Sequence, residues 1–382
     1  MEENKKTVWL FSVGSFLNDL GYYAVFTIWP VFVTSVIGAS VAFLGFVDGL
    51  GDAFVSLSQA VSGLLSDKIK KRKIFIWLGY FFAFISRLIY AVSTKSWQLI
   101  PGKILDRSGK MRDAPRDAIV ADITPHRQRA SAFGTLRAAD RAGAASGLLI
   151  SILLTGYLAY RKLFLLAAVP SLAGALIILL FVKERASQDG LSPKLSFEFF
   201  SRDLKIFTAL SLIFTLGAFS DSFYILAANK LGIALKIIPL FYLIYLFFSS
   251  AMAIPFGRLS DKIGRRPVIG LAFVLFAAVN FIFVFFNSFW MIFLAFAVYG
   301  FHTAAFEGNV KTIVTEFAPT NFRASIIGGF QMLTGFAALP ASLIAGVLWD
   351  AIGFHAPFAL SFLLTAIAIL ILFFVREPDF NG

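Results

Sequence analysis

The chain has 382 residues and is 58% hydrophobic but only 15% charged, against about 45–50% and about 25% in ordinary soluble proteins. Its apolar residues gather in runs of about 20, the length that crosses a bilayer core, which excludes a soluble globular enzyme. The absence of cysteine excludes disulfides, thiolate metal sites and cysteine nucleophiles, and the net charge of +12 is read below as a topology signal rather than a nucleic-acid surface.

Twelve membrane spans are expected, near residues 9–35, 41–65, 73–93, 97–122, 131–157, 161–182, 205–228, 236–257, 267–287, 289–315, 325–348 and 357–375. The first apolar run is long and has no small-residue cleavage site after it, so it reads as a permanent helix and not a leader. Connections are short except residues 183–204, a polar, basic stretch that reads as a cytoplasmic linker. It divides the chain into a six-helix bundle over 1–182 and a second over 205–382. Of the lysines and arginines outside the spans, 20 fall on one side and 5 on the other, which places both termini in the cytoplasm. Trp9, Trp97, Trp290 and Trp349 sit near span ends, as interface anchors do.

The fourth span departs from the rest. Between Lys103 and Asp117 it carries eight charges: Lys103, Asp106, Arg107, Lys110, Arg112, Asp113, Arg116 and Asp117. At roughly 2.5–3.5 kcal/mol per charge at a helix centre, eight unpaired charges would cost roughly 20–28 kcal/mol. This helix therefore cannot face lipid. Asp106, Lys110, Asp113 and Asp117 form one stripe at helical spacing, in which Asp106 can reach Lys110, and Asp113 can reach Arg116. Arg137, Asp140 and Arg141 follow in the fifth span. Asn18 and Asp19 lie in the first, Asp48 and Asp52 in the second, Asp221 in the seventh, His302, Glu307 and Lys311 in the tenth and Gln331 in the eleventh. Glu307 and Lys311 are four apart, so a mutual salt bridge is the plain expectation. Gly143 with Gly147 is a pair of small residues that lets helices approach closely.

The two halves repeat. GLLSDKIKKR at 63–72 matches GRLSDKIGRR at 257–266, and DITPHRQRAS at 122–131 matches EFAPTNFRAS at 316–325, both at an offset of 194 residues. These loop residues resemble the major facilitator superfamily. Gly63, Asp67, Lys71 and Arg72, and Gly257, Asp261, Gly264, Arg265 and Arg266, resemble its loop 2–3 signature. Asp122 with Arg129, and Glu316 with Arg323, resemble its acid and arginine pairs at the ends of helices 4 and 10. FLND at 16–19, DRSGKMRDAPRDAIVAD at 106–122 and the FGxxRAxD pattern at 133–140 are similar to a group of poorly characterised prokaryotic permeases. The Gly-Pro that drug/proton antiporters carry in helix 5 is absent, since Leu148 follows Gly147.

The resemblance implies a twelve-helix secondary transporter with two pseudo-symmetric six-helix bundles that rock about a central site. It places the protein in the inner (cytoplasmic) membrane as a multi-pass monomer. Asp67, Arg72, Asp122, Arg129, Asp261, Arg265, Arg266, Glu316 and Arg323 would form a cytoplasmic gate. Substrate contacts are expected among Arg112, Asp113, Arg116, Asp117, Arg137, Asp140, Arg141, Glu307, Lys311 and Gln331. The substrate would be a small charged molecule, with an organic or phosphorylated anion favoured because the intramembrane bases concentrate in the first half. No phosphate-cradling loop for ATP exists, so an ion gradient, by default of protons, would drive transport, with Asp19, Asp221 and Asp140 as coupling carboxylates. No enzyme activity, cofactor, metal or nucleic-acid partner is expected beyond the substrate, the coupling ion and the bilayer. The alternatives are an exporter of drugs, cations or metal ions, a lipid flippase, and a non-transporting receptor on the same fold.

Overall fold

The computed structural model describes residues 2–125, 128–184, 201–318 and 323–377, and leaves the side chains of Glu2, Glu3, Asp67, Ala130, Arg323, Ala324 and Ser325 undescribed. The expected linker lies largely outside the described residues. The architecture is all-α, in twelve helical runs, and among the described residues there is no strand.

The first run, α1, is Glu2–Phe26, prolonged by a short turn Trp29–Val31 and a π-helical turn Phe32–Val36. Then come α2 (Val41–Lys68), α3 (Lys73–Val92) and α4, which is three pieces: Leu99–Ser108, a 3₁₀ turn Gly109–Arg112, and Asp113–Ile123. After it follow α5 (Arg129–Leu154) and α6 (Tyr160–Phe181). The seventh run, α7, is Arg202–Gly217 with Ser222–Lys230, and α8 is Ile238–Ala251 with Ala253–Ile263. The last four are α9 (Arg265–Phe285), α10 (Phe289–Phe317), α11 (Arg323–Ala351) and α12 (Ala356–Leu372). Ser201 and Ser288 cap α7 and α10 by accepting from the amides of Leu204 and Met291, which satisfies one of the orphan donors at each helix start.

Among the described residues seven helices are long and apolar enough to cross a membrane, and nine are if each of two bent pairs counts as one span. The chain is therefore a multi-pass membrane protein. Long apolar side chains such as Leu180, Phe181 and Phe285 stand exposed, a surface that lipid covers and water would not tolerate.

The chain forms two compact units, residues 1–39 with 50–192, and residues 40–49 with 193–382. The first unit has an aliphatic core in which Phe11, Ile76, Tyr80, Ile119, Val120, Leu136 and Ile178 are buried. The second has an aromatic core, where the ring of Phe214 lies 4.6 Å from Phe273, 5.1 Å from Phe276 and 5.0 Å from Phe306.

Three expectations change. The fourth span is not one continuous helix. Its 3₁₀ turn sits where α3 comes closest, and a Cβ on Gly79 would lie 2.5 Å from the Gly109 carbonyl oxygen. Two glycines let these backbones touch, and the tighter turn fits there. The seventh span also breaks, at residues 218–221. The freed Ser220 amide is taken up by the Ser342 hydroxyl at 3.1 Å, and the Asp221 carbonyl accepts from the Tyr242 hydroxyl at 3.2 Å, as an interrupted membrane helix requires. Trp349 is not an interface anchor. It is only 8% exposed and packs on Phe223 and Phe354, whereas Trp9, Trp97 and Trp290 are 62%, 61% and 72% exposed.

Candidate functional site

The charges of α4 organise the first unit. Arg116 is buried, and its guanidinium donates to Asp117 at 3.0 Å and to the Ser15 hydroxyl of α1 at 2.8 Å. It also lies 3.6 Å from Asp113. Asp113 in turn is 3.7 Å from Arg112 and accepts from Gln59 of α2 at 3.2 Å. Arg137 of α5 joins Asp117 at 4.0 Å and Asp140 at 3.5 Å. Arg112 lies with its guanidinium 4.8 Å from the Tyr80 ring centre and donates to the Gly109 carbonyl. Six of the expected substrate residues, Arg112, Asp113, Arg116, Asp117, Arg137 and Asp140, thus form one connected network. Arg141 stands half-buried, and among the described residues no ion pair joins it to this network. α1 and α5 can carry this network side by side because Gly143 and Gly147 sit against the Phe16 and Leu20 carbonyls, where a Cβ would come within 2.4 and 2.5 Å.

On one side of this network is a cavity of about 160 Å³. α1 lines it with Asn18, Asp19, Tyr22 and Tyr23, α3 with Ala83 and Arg87, and α4 with Asp106, Arg107, Lys110 and Arg112. Arg87 is 1% exposed. It donates to the Ser171 hydroxyl, to the Ala83 carbonyl at 3.1 Å and to the Asn18 carbonyl at 3.5 Å. Among the described residues no carboxylate lies within ion-pair distance of it. Arg107 is 3.9 Å from Asp52 and packs near Tyr22. The expected Asp106–Lys110 pair does not form. The 3₁₀ turn begins at Gly109, so the four-residue register of an α-helix is lost between them. Asp106 accepts from Ser86 at 3.5 Å, and Asp19 from Asn18 at 3.2 Å.

In the second unit the expected residues are spread out. Glu307 and Lys311 are both exposed on α10, and no salt bridge joins them among the described residues. Gln331 is exposed on α11. Asp221, at the break in α7, accepts from the Tyr299 hydroxyl at 2.8 Å. His302 is buried, with its Nδ1 2.8 Å from the Ala272 carbonyl. Among the described residues no group of three His, Asp or Glu side chains could hold a metal ion.

The loop residues form one ion-pair cluster in each unit. Arg72 is 2.5 Å from Asp122. Arg265 is 2.5 Å from Asp261 and 3.2 Å from Glu316. Arg129 does not reach Asp122, and donates instead to the Ala121 and Thr124 carbonyls. Arg266 donates to the Phe373 carbonyl at 2.8 Å. The side chains of Asp67 and Arg323 lie outside the described residues.

Two carboxylates were missed in the sequence. Glu184, just past α6, accepts from the amides of Arg72 and Lys73 at 2.9 and 3.1 Å. Glu377, just past α12, accepts from the amide of Arg266. Each caps the start of a helix. A signal for them exists: FVKE at 181–184 and FVRE at 374–377 repeat at an offset of 193, one short of the offset of the loop motifs.

The profile of the Major Facilitator Superfamily matches residues 11–243 and 206–381. An MFS-type transporter of Methanocaldococcus jannaschii, itself uncharacterised, is 38% identical over 98% of this chain and 96% of its own length. A probable 4-methylmuconolactone transporter of Cupriavidus pinatubonensis is 24% identical over 100% of this chain and 92% of its own. Among solved structures the nucleoside transporter NupG has the same fold, with a TM-score of 0.80 over 97% of this chain and 98% of that one at 14% identity. The chain belongs to the major facilitator superfamily, a family of membrane transporters.

Proposed function

We propose that this protein is a secondary transporter that moves a small solute with an anionic group across the cytoplasmic membrane of its cell. The cavity of the first unit would hold that group. One observation carries the reading: Arg87, Arg107, Lys110 and Arg112 line the cavity against only Asp19 and Asp106, and Arg87 is buried with no carboxylate at ion-pair distance among the described residues. An ionised group removed from water is costly unless something compensates it, and a solute anion would do so. The neighbouring Asp113, Arg116, Asp117, Arg137, Asp140 and Arg141 would set the shape and potential of that site. Glu307, Lys311 and Gln331 would serve the solute from the second bundle. The relative named for a small lactone is in keeping with a solute of this size.

Work would come from a proton gradient through Asp19, Asp140 or Asp221, with no enzymatic step and no cofactor. The protein would act as a monomer that alternates access by rocking its bundles. The clusters around Arg72–Asp122 and around Asp261, Arg265 and Glu316 would be the cytoplasmic gate, together with Asp67, Arg129, Arg266 and Arg323.

Purified protein should be stabilised against heat by small organic or phosphorylated anions, because a ligand of the folded state shifts unfolding by mass action. Arg87→Gln and Lys110→Gln should each remove that stabilisation. Stabilisation by cations or metal ions alone would sink the anion reading. Uptake into proteoliposomes that ignores an imposed pH gradient would sink proton drive.

A further inference from the structure

The cavity in the first unit is lined by charges of both signs. Two of its cations have partners: Arg107 stands by Asp52 and Arg112 by Asp113. The other two, Arg87 and Lys110, have no carboxylate within ion-pair distance among the described residues. The same holds in reverse for its two acids. Asp19 accepts only from Asn18 and Asp106 only from Ser86, and neither meets a lysine or arginine at ion-pair distance among the described residues. Two cations and two carboxylates, none with an opposite charge at ion-pair distance among the described residues, therefore line one space of about 160 Å³.

Two further atoms belong to residues that line the same space. The Asn18 Oδ1 and the Arg112 Nε are buried and have no hydrogen-bond partner, although their residues are only 4% and 3% exposed. A buried donor or acceptor left unmade is expensive. One of these atoms needs a donor and the other an acceptor. The acceptor that lacks a donor is on α1 beside Asp19, and the donor is on α4, where its Asp113 neighbour stands at 3.7 Å, beyond hydrogen-bond distance.

We infer that the solute of this site is a small zwitterion, with an anionic group for Lys110, Arg87 and the Arg112 Nε, and an ammonium group for Asp19, Asp106 and the Asn18 Oδ1. The inference rests on the anion reading above and adds a second pole to it. A solute with only the anionic pole leaves Asp19, Asp106 and the Asn18 Oδ1 as they are. A solute with both poles satisfies all of them at once, with charge-assisted hydrogen bonds at each end. A site built this way rejects an analogue that lacks one polar group, because the protein group facing the gap is left unpaired. The volume is well under the roughly 300–1,000 Å³ of drug-sized sites, which limits the solute to the size of an amino acid or an aminoalkyl phosphate.

The test uses the full chain in detergent and matched pairs of probes at neutral pH. The pairs are unbranched carboxylic acids of two to six carbons against their ω-amino counterparts, and ethyl phosphate against 2-aminoethyl phosphate. Dissociation constants are read by calorimetry or thermal shift. In at least one pair the amino compound should bind tenfold or more tightly than the plain acid. Asp19→Asn and Asp106→Asn should each erase the advantage of the amino compound over its acid, while Lys110→Gln should weaken both. The discrimination between wild-type ligands stands even if a variant fails to fold. Acids that bind as well as their amino partners, with loss on Lys110→Gln, would overturn the zwitterion and leave the anion reading in place. Acids that bind more tightly as pH falls would give Asp19 and Asp106 to protons, with the same consequence. No binding by any probe would overturn both.

Discussion

α4 and α10 occupy the same place in the two halves of the repeat, yet they are built for different work. At the 194-residue offset, Lys103, Asp106, Arg107, Lys110, Arg112 and Arg116 of α4 become Ala297, Gly300, Phe301, Ala304, Phe306 and Val310 of α10. Only Asp113 and Asp117 keep a charge, as Glu307 and Lys311. α10 is accordingly one unbroken helix over Phe289–Phe317, and its neighbours are aromatic rings. α4 is broken by a 3₁₀ turn and its neighbours are hydroxyls, an amide and carboxylates. The two copies of the repeat have thus kept one helix unbroken and mostly apolar and made the other broken and charged. Fixed dihedrals and packed rings preserve the first, and paired charges preserve the second.

Replacing Arg116 with the valine of α10 should break the comparison hardest. It strips Asp113 and Asp117 of their shared partner, and removing one member of a buried ion pair costs about 3–5 kcal/mol. Unfolding of the Arg116→Val protein in detergent should show a loss of that order, and adding Asp113→Asn with Asp117→Asn should recover at least half of it. A wild-type midpoint for Arg116→Val would mean that the network bears no load.

Gly79→Ala comes next. Its Cβ would meet the Gly109 carbonyl oxygen at 2.5 Å, and overpacking of this kind costs about 1–3 kcal/mol. The counterpart at the offset, Phe273, already carries a full ring, because α10 has no 3₁₀ turn for α9 to approach. The measurement is again the unfolding midpoint, and Gly109→Ala should behave likewise.

The loop ion-pair clusters should yield smaller effects, alike in the two units. Arg72→Ala removes a pair whose acid is 43% exposed, and Arg265→Ala two pairs whose acids are 66% and 32% exposed, so each pair lost should cost about 1 kcal/mol or less and the effect should shrink further in high salt. A several-fold difference between them would show that the duplicated clusters have diverged.

The smallest effect belongs to Glu307→Gln. An exposed carboxylate without a salt bridge should shift stability by less than about 0.5 kcal/mol, while solute uptake should fall if the second bundle serves the substrate. Unchanged uptake would confine the polar chemistry to the first unit.

Much of this was legible in the sequence. The apolar runs define the twelve helices, the 194-residue offset reveals the duplication, and the eight charges of α4 single out the helix that lipid cannot touch. The details that escaped depend on departures from regular geometry. Helical spacing puts Asp106 and Lys110 together, and a single 3₁₀ turn undoes it. The same spacing pairs Glu307 with Lys311, where two exposed side chains gain too little from meeting to hold each other. The cap at Glu184 was hidden because its repeat is out of step by one residue with the motif that it serves. Asn18 and Tyr22 entered the cavity only once α1 had been set beside α3 and α4.

The carboxylate of Glu377 has a practical side. It follows the last turn of α12, yet it closes off the amide at the head of α9, more than a hundred positions earlier. Shortening the protein before this residue for crystallisation, or fusing a rigid reporter directly to it, would unfasten a helix on which the aromatic core of the second unit rests. A flexible spacer after it should leave that fastening intact, and the melting temperatures of two such fusions would tell an experimenter where handling of this molecule may safely begin.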